Sequence, residues 1–238
     1  MKVRNLFLIA FVVLGLAACS EDETSIDDPI QEQAIVDLDI KSSLAGEVNQ
    51  QASQRSRFDF RSGSITIQDL IFRISNGDDT YEVDVLQGTD DLFSIDLLTG
   101  VSSDVLDHFS IPTGEFEQIE VELIMGEEES VVTGVFIDAS GEEYPIEVIL
   151  PEGEPVVLNT TGDFIFLESR PVEAEIVLTP RSWVSRLTSG ILDRLDKNED
   201  GVIVISDTMN SDLLHLILEH LQQSSEVEVK REAPKPSV

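Results

Sequence analysis

The sequence predicts a mainly β protein, an antiparallel β-sandwich followed by a C-terminal helix-loop-helix, and three observations predict it. From about residue 34 to 179, apolar residues alternate with polar ones in short runs separated by turn residues, the signature of strands with one buried face. At residue 180 the apolar spacing lengthens from two to about 3.6, the period of a helix. Between two such helical stripes, residues 196–207 read D-K-N-E-D-G-V-I-V-I-S-D, a run of oxygen donors around one glycine.

Taken in order, A-I-V-D-L-D-I at 34–40 predicts the first strand. Ile65 and Ile67, then Leu70, Phe72 and Ile74, alternate with polar neighbours; N-G-D-D at 76–79 turns the chain; Tyr81, Val83 and Val85 alternate again. This predicts a hairpin with one apolar face. Apolar parity shifts between Ile67 and Leu70, so a bulge is expected near Gln68-Asp69. Further strands are predicted at 92–98, 116–124, 131–138, 144–150, 155–159, 163–167 and 172–178. Turn signals at Pro112 to Gly114, Gly126, Ser140-Gly141, Pro151 to Gly153 and Gly162 separate them. Short strands at such spacing predict a sandwich over 34–179, long enough for one domain and one core.

Trp183, Val184, Leu187, Ile191, Leu192 and Leu195 fall on one helical face, with Thr179 as cap and Pro180 at the first position. Leu213, Leu214, Leu216, Ile217, Leu218 and Leu221 form a second stripe after the loop. An EF-hand loop needs oxygens at positions 1, 3, 5, 7 and 12 and glycine at position 6. Asp196, Asn198, Asp200, the carbonyl of Val202, Asp207 and Gly201 stand at those positions, and Ile203 is the usual aliphatic residue at position 8. The stretch thus resembles EF-hand and dockerin-type calcium loops, which implies one structural calcium ion over an EF-hand-like unit at 180–223. Val204 at position 9 offers no side-chain ligand, and Asp207 is shorter than the usual Glu, so the expected site is weak to moderate. A single EF-hand has no partner for position 8, so Ile203 must pack on the sandwich, on a second copy or on another protein.

The chain opens with Lys2 and Arg4, continues with an apolar run from Leu6 to Leu16, and reaches L-A-A-C at 16–19. That layout is a secretory signal peptide over 1–18, and its core is too short to span a bilayer. Leu16-Ala17-Ala18-Cys19 resembles the lipobox of bacterial lipoproteins, which implies that Cys19 is acylated and anchors the protein to a membrane. Ser20 in place of Asp, followed by Glu21-Asp22-Glu23, resembles the address of outer-membrane and surface-exported lipoproteins, either periplasm-facing or at the cell surface. Cys19 is the only cysteine, so the chain can form no internal disulfide. Residues 19–33 read as an acidic disordered tether, and 224–238 as a disordered exposed tail.

The stretch I-P-T-G-E-F-E-Q-I-E-V-E-L at 111–123, preceded by L-F-S-I-D-L-L-T-G, resembles a family of uncharacterised bacterial lipoprotein domains. That resemblance implies an immunoglobulin-like or transthyretin-like sandwich without assigned catalysis, and it carries over no functional residue.

The formal charge is −32, from 47 acidic against 15 basic residues, and removing residues 1–18 takes away two of the basic ones. Such a surface repels nucleic acid and anionic lipid and attracts divalent cations and basic partners. No catalytic constellation emerges. His215 and His220 lie about 140° apart on a helix, too far around it to share a metal, and no nucleophile elbow or phosphate loop is present. Acid pairs such as Asp37/Asp39 and Glu127 to Glu129 have no aromatic platform beside them for a sugar. The implied role is non-catalytic: a lipid-anchored, calcium-binding envelope module for binding or scaffolding, its protein or glycan ligand unidentified. The alternatives are a dockerin-like subunit of an envelope complex and a hydrolase with an unrecognised acidic site.

Overall fold

Strand β1 (Gln33–Ser42) turns pattern directly into burial: Ala34, Val36, Leu38 and Ile40 are buried while the residues between them face solvent. A computed structural model describes residues 32–44, 57–77, 79–87, 92–126 and 130–230. The signal peptide, Cys19, most of the tether, Glu127 to Glu129 and the tail beyond residue 230 lie outside the described residues.

The described residues form two sheets. Strand β2 (Arg57–Asn76) is the long member of the first. The same sheet holds β3 (Asp79–Asp84), β4 (Phe93–Asp96), β6 (Gly114–Met125), β7 (Ser130–Ile137), β8 (Glu143–Leu150), β9 (Pro155–Phe166) and β11 (Ile203–Ile205). The path runs β11-β8-β7-β2-β6-β9, with β3 and β4 also paired to β2. The second sheet is ordered β12 (Glu226–Lys230), β10 (Val172–Leu178), β1, β5 (Phe109–Pro112). Their inner faces share one core, with Val36, Ile40 and Ile176 from the second sheet and Phe72, Val121 and Leu158 from the first. The protein is therefore a β-sandwich.

The expected bulge is present in β2. Its register against β6 shifts between Ile67 and Asp69, and only that extra residue lets Ile65, Ile67, Leu70, Phe72 and Ile74 all point into the core. The 65–85 hairpin pairs as expected, with Asn76 opposite Asp79, but its second strand buries little: Tyr81 is exposed and Val83 only half-buried. Gly162 does not end a strand: β9 runs through it, and Gly162-Asp163 form an irregularity opposite Glu117.

Three corrections concern pairing and the C-terminal region. The sheets are mixed, since β1 pairs with β10 and β11 with β8 in parallel. Alternation fixes which face of a strand is buried but not the direction of its neighbour, and no tight turn ties these distant segments. The predicted long first helix is two single turns, α1 (Pro180–Trp183) and α2 (Ser189–Leu192), because Thr188 takes an extended conformation just before the weak helix formers Ser189 and Gly190. The apolar stripe is nonetheless buried at Trp183, Val184, Leu187 and Leu192. Finally, residues 226–230, expected in the tail, form β12, where E-V-E-V-K alternates and buries Val227 against β10.

Helix α3 (Ser211–Ser224) packs Leu213, Leu214, Ile217 and Leu221 inward. Thr179 Oγ1 donates to the Ser224 carbonyl at 2.5 Å and fastens its end to the start of α1. The C-terminal segment is thus woven into both sheets, through β11 at one and β12 at the other.

Candidate functional site

The acidic loop sits between α2 and α3 and opens into β11. Gly201 adopts φ +80°, the left-handed conformation that the sixth position of a calcium loop requires. The Val202 carbonyl accepts the Asn198 N–H at 2.9 Å. Asn198 Oδ1 accepts two backbone N–H groups, from Asp200 at 3.0 Å and Val202 at 2.9 Å, so the side chain at position 3 braces the turn from within. Ile203 pairs with Ile146 of β8 and is fully buried, so position 8 finds its partner on the sandwich.

Asp196, Asp200 and Asp207 do not belong to any group of three or more His, Cys, Asp or Glu side chains gathered to hold a metal; there is none among the described residues. The loop shares with a calcium loop the left-handed glycine at position 6 and the buried aliphatic residue at position 8, while the position-3 amide oxygen and the position-7 carbonyl accept backbone N–H groups of the turn itself.

Two attachments of this loop were not read from the sequence. Asn210, at φ 56° before α3, accepts the Asp196 N–H through Oδ1 at 3.1 Å and donates through Nδ2 to the carbonyls of Asp196 at 3.0 Å and Val204 at 2.7 Å. It latches the two ends of the loop, and an Asn just before a leucine-rich helix is a signal that could have marked it. Tyr144 of β8 donates from Oη to Asp193 Oδ1 at 2.9 Å, which raises the phenol's pKa above its ordinary value. The Lys197 ammonium lies 5.9 Å from the centre of the same ring.

The outer faces of both sheets carry carboxylates organised by a few cations. Glu175 lies 2.7 Å from both Lys230 Nζ and Lys41 Nζ, which hold its pKa below the usual range. Asp37 and Asp39 flank it on β1, opposite Glu173 and Glu175 of β10. On the first sheet, Arg73 spans Glu82 at 2.6 Å, Glu120 at 2.9 Å and Glu122 at 2.6 Å. His220 is buried on α3 and His215 is exposed, as expected for residues on different sides of a helix.

A groove of about 760 Å³ opens where the ends of β9, β10 and β12 meet. Ile165 and Leu167, 59% and 43% exposed, are two of its lining residues. Asp37, Asp163 and Glu173 add carboxylates, and Arg170 and Lys230 add cations. Its size falls within the range of ligand-holding clefts. No single stretch of the chain announces it, because it joins residues from four strands and the β9–β10 turn.

No family model, curated protein or solved structure matches this chain.

Proposed function

We propose that this protein is a lipid-anchored module of the bacterial cell envelope that binds or scaffolds a partner without catalysing a reaction. The groove beside β9 carries this reading: it joins the exposed apolar side chains of Ile165 and Leu167 to charges on four strands and on the turn that links β9 to β10. The lipid anchor at Cys19 supplies the address, and the outer membrane, at its periplasmic face or the cell surface, is the proposed site. The strong negative charge favours a basic partner over nucleic acid.

One weakly held structural calcium ion belongs to the same reading. Asp196, Asn198, Asp200, the Val202 carbonyl and Asp207 would hold it, and the left-handed turn at Gly201 supports it. Its part would be to stiffen a loop already fastened to β8.

The test uses cells that make the protein. A photo-crosslinking amino acid placed at Ile165 should yield a discrete adduct in the membrane fraction, and Cys19→Ser should release the protein from that fraction. Absence of any adduct at Ile165 would count against the binding role; retention of the Cys19→Ser protein would count against the anchor.

A further inference from the structure

Asn76 and Gly77 stand at the tip of the β2–β3 hairpin, and both are exposed. Gly77 adopts φ +60°, and no described atom lies within 4 Å of the position a Cβ would take there. Its backbone nitrogen therefore follows the Asn76 carboxamide without a side chain to shield it, the arrangement that leaves that nitrogen freest to reach the Cγ of the preceding asparagine. Of the six asparagines in the sequence only Asn76 precedes a glycine. Asn159, Asn198 and Asn210 are followed by Thr160, Glu199 and Ser211, and their amide oxygens already accept hydrogen bonds. Asn76 is held from its nitrogen: Nδ2 donates to the Glu115 carbonyl at 2.9 Å. That bond closes the end of the β2–β6 ladder just beyond its last pair, Ser75 with Gln118.

We propose that Asn76 is a site of spontaneous deamidation, a modification that releases the hairpin tip from β6 as the protein ages. The Gly77 backbone nitrogen attacks Asn76 Cγ; the N–Cγ bond forms, the Cγ–Nδ2 bond breaks, and Nδ2 leaves as ammonia, taking the Gly77 amide proton. Water then opens the cyclic imide at either carbonyl, its hydroxyl going to the carbon and its hydrogen to the nitrogen, and yields aspartate or isoaspartate. One water is consumed, one ammonia is released, and nothing is oxidised or reduced. Both products undo the local structure. A carboxylate oxygen replaces the Nδ2 donor and faces the Glu115 carbonyl, acceptor against acceptor. The new charge also stands opposite Asp79, which places like charges across the ladder. Isoaspartate adds a carbon to the main chain as well, so the register that pairs this residue with Asp79 no longer fits its turn.

The test ages the full chain at mildly alkaline and at mildly acidic pH and follows it by peptide mass mapping with isoaspartate detection, beside Asn76→Gln, Asn76→Asp and Gly77→Ala variants. Wild type should gain aspartate and isoaspartate at Asn76 at least about tenfold faster than at any other asparagine, because only there is the attacking nitrogen unshielded. The reaction should run faster at alkaline pH, where base removes the Gly77 amide proton. Gly77→Ala should slow it by about tenfold, since a methyl group shields the nitrogen and restricts its backbone. Asn76→Gln should abolish it, because the longer arm must close a larger ring. The freshly made Asn76→Asp chain carries the product from the start. It should exchange amide hydrogens faster than wild type at the Ser75–Gln118 end of the ladder and across the Asn76–Asp79 pair, with Phe72 and Ile74 unchanged. Modification spread evenly over the asparagines, none at Asn76, or Gly77→Ala reacting as fast as wild type would overturn the site. Unchanged exchange in Asn76→Asp would overturn the release from β6.

Discussion

Tyr144 and Asp193 are joined by a 2.9 Å hydrogen bond that ties β8 to the turn after α2, at the entrance to the acidic loop. The tyrosine ring also packs edge-on to Phe136, with centroids 6.1 Å apart, so removing the hydroxyl leaves the packing intact. Tyr144→Phe should lower the melting temperature by about 2–4 °C. Asp193→Ala should do much the same. The double variant should lose little more than either single one, and full additivity in thermal melts would show that the bond contributes nothing.

Arg73 is the hub for three carboxylates and is itself only 23% exposed. Arg73→Met keeps most of the aliphatic stem but leaves Glu82, Glu120 and Glu122 to repel one another. The expected loss is about 1–2 kcal/mol, discounted because Glu82 is largely solvated. Salt screens that repulsion, so denaturant titrations at high ionic strength should recover part of the loss. A salt-independent loss would point to packing instead.

Glu175 gives a pH signature. Its folded pKa lies below the ordinary 4.5, chiefly through Lys230 and then Lys41. A depressed carboxylate stabilises the fold above the unfolded pKa, and the contribution disappears as pH falls through the folded value. Wild type should therefore exceed Glu175→Gln by up to about 1 kcal/mol at neutral pH, with both lysines half-solvated. The two stability curves should converge below the ordinary carboxylate range. Parallel curves down to strongly acidic pH would rule out the ion pairs as the cause.

Gly134 of β7 stands where no side chain fits. A Cβ there would overlap the Phe58 ring and lie 2.7 Å from the Asp59 carbonyl oxygen, which belongs to the paired backbone of β2. Gly134→Ala should cost about 3 kcal/mol or prevent folding. Gly153→Ala is the control: it has free space, but its φ of +70° should cost only about 1 kcal/mol.

The calcium proposal predicts a saturable rise in melting temperature with a Kd of about 10⁻⁴ M, since the ligand set is short. Asp196→Ala with Asp200→Ala should abolish the rise. Asn198→Ala should lower stability even with chelator present, because two backbone N–H groups lose their acceptor. An identical calcium response in wild type and the double variant would reduce the loop to a self-braced turn.

Where burial alternates along one strand, the sequence was readable in detail: the parity shift around Gln68 revealed a bulge, and N-G-D-D revealed a hairpin. Strand direction was not readable, since Val36 opposite Val172 involves partners far apart in the chain. Ile203 carried a legible need for a partner, but only the fold shows that β8 meets it. Val227 and Val229 alternate with charges in a pattern that reads as solvent-exposed tail, because two apolar residues in five are a faint signal. The groove was invisible for a different reason. Ile165 reads as an ordinary strand residue until the neighbouring strand edges are placed beside it.

The second sheet imposes an order of events on a chain made from its N-terminus. β1, one of the earliest strands, cannot complete its parallel ladder until β10 exists, and β10 stays an open edge until β12 arrives at residues 226–230. Contacts this distant slow folding and leave strand edges bare while synthesis continues. The half-made protein is thus held open by its own topology until residues 226–230 pair with β10 and act as the clasp.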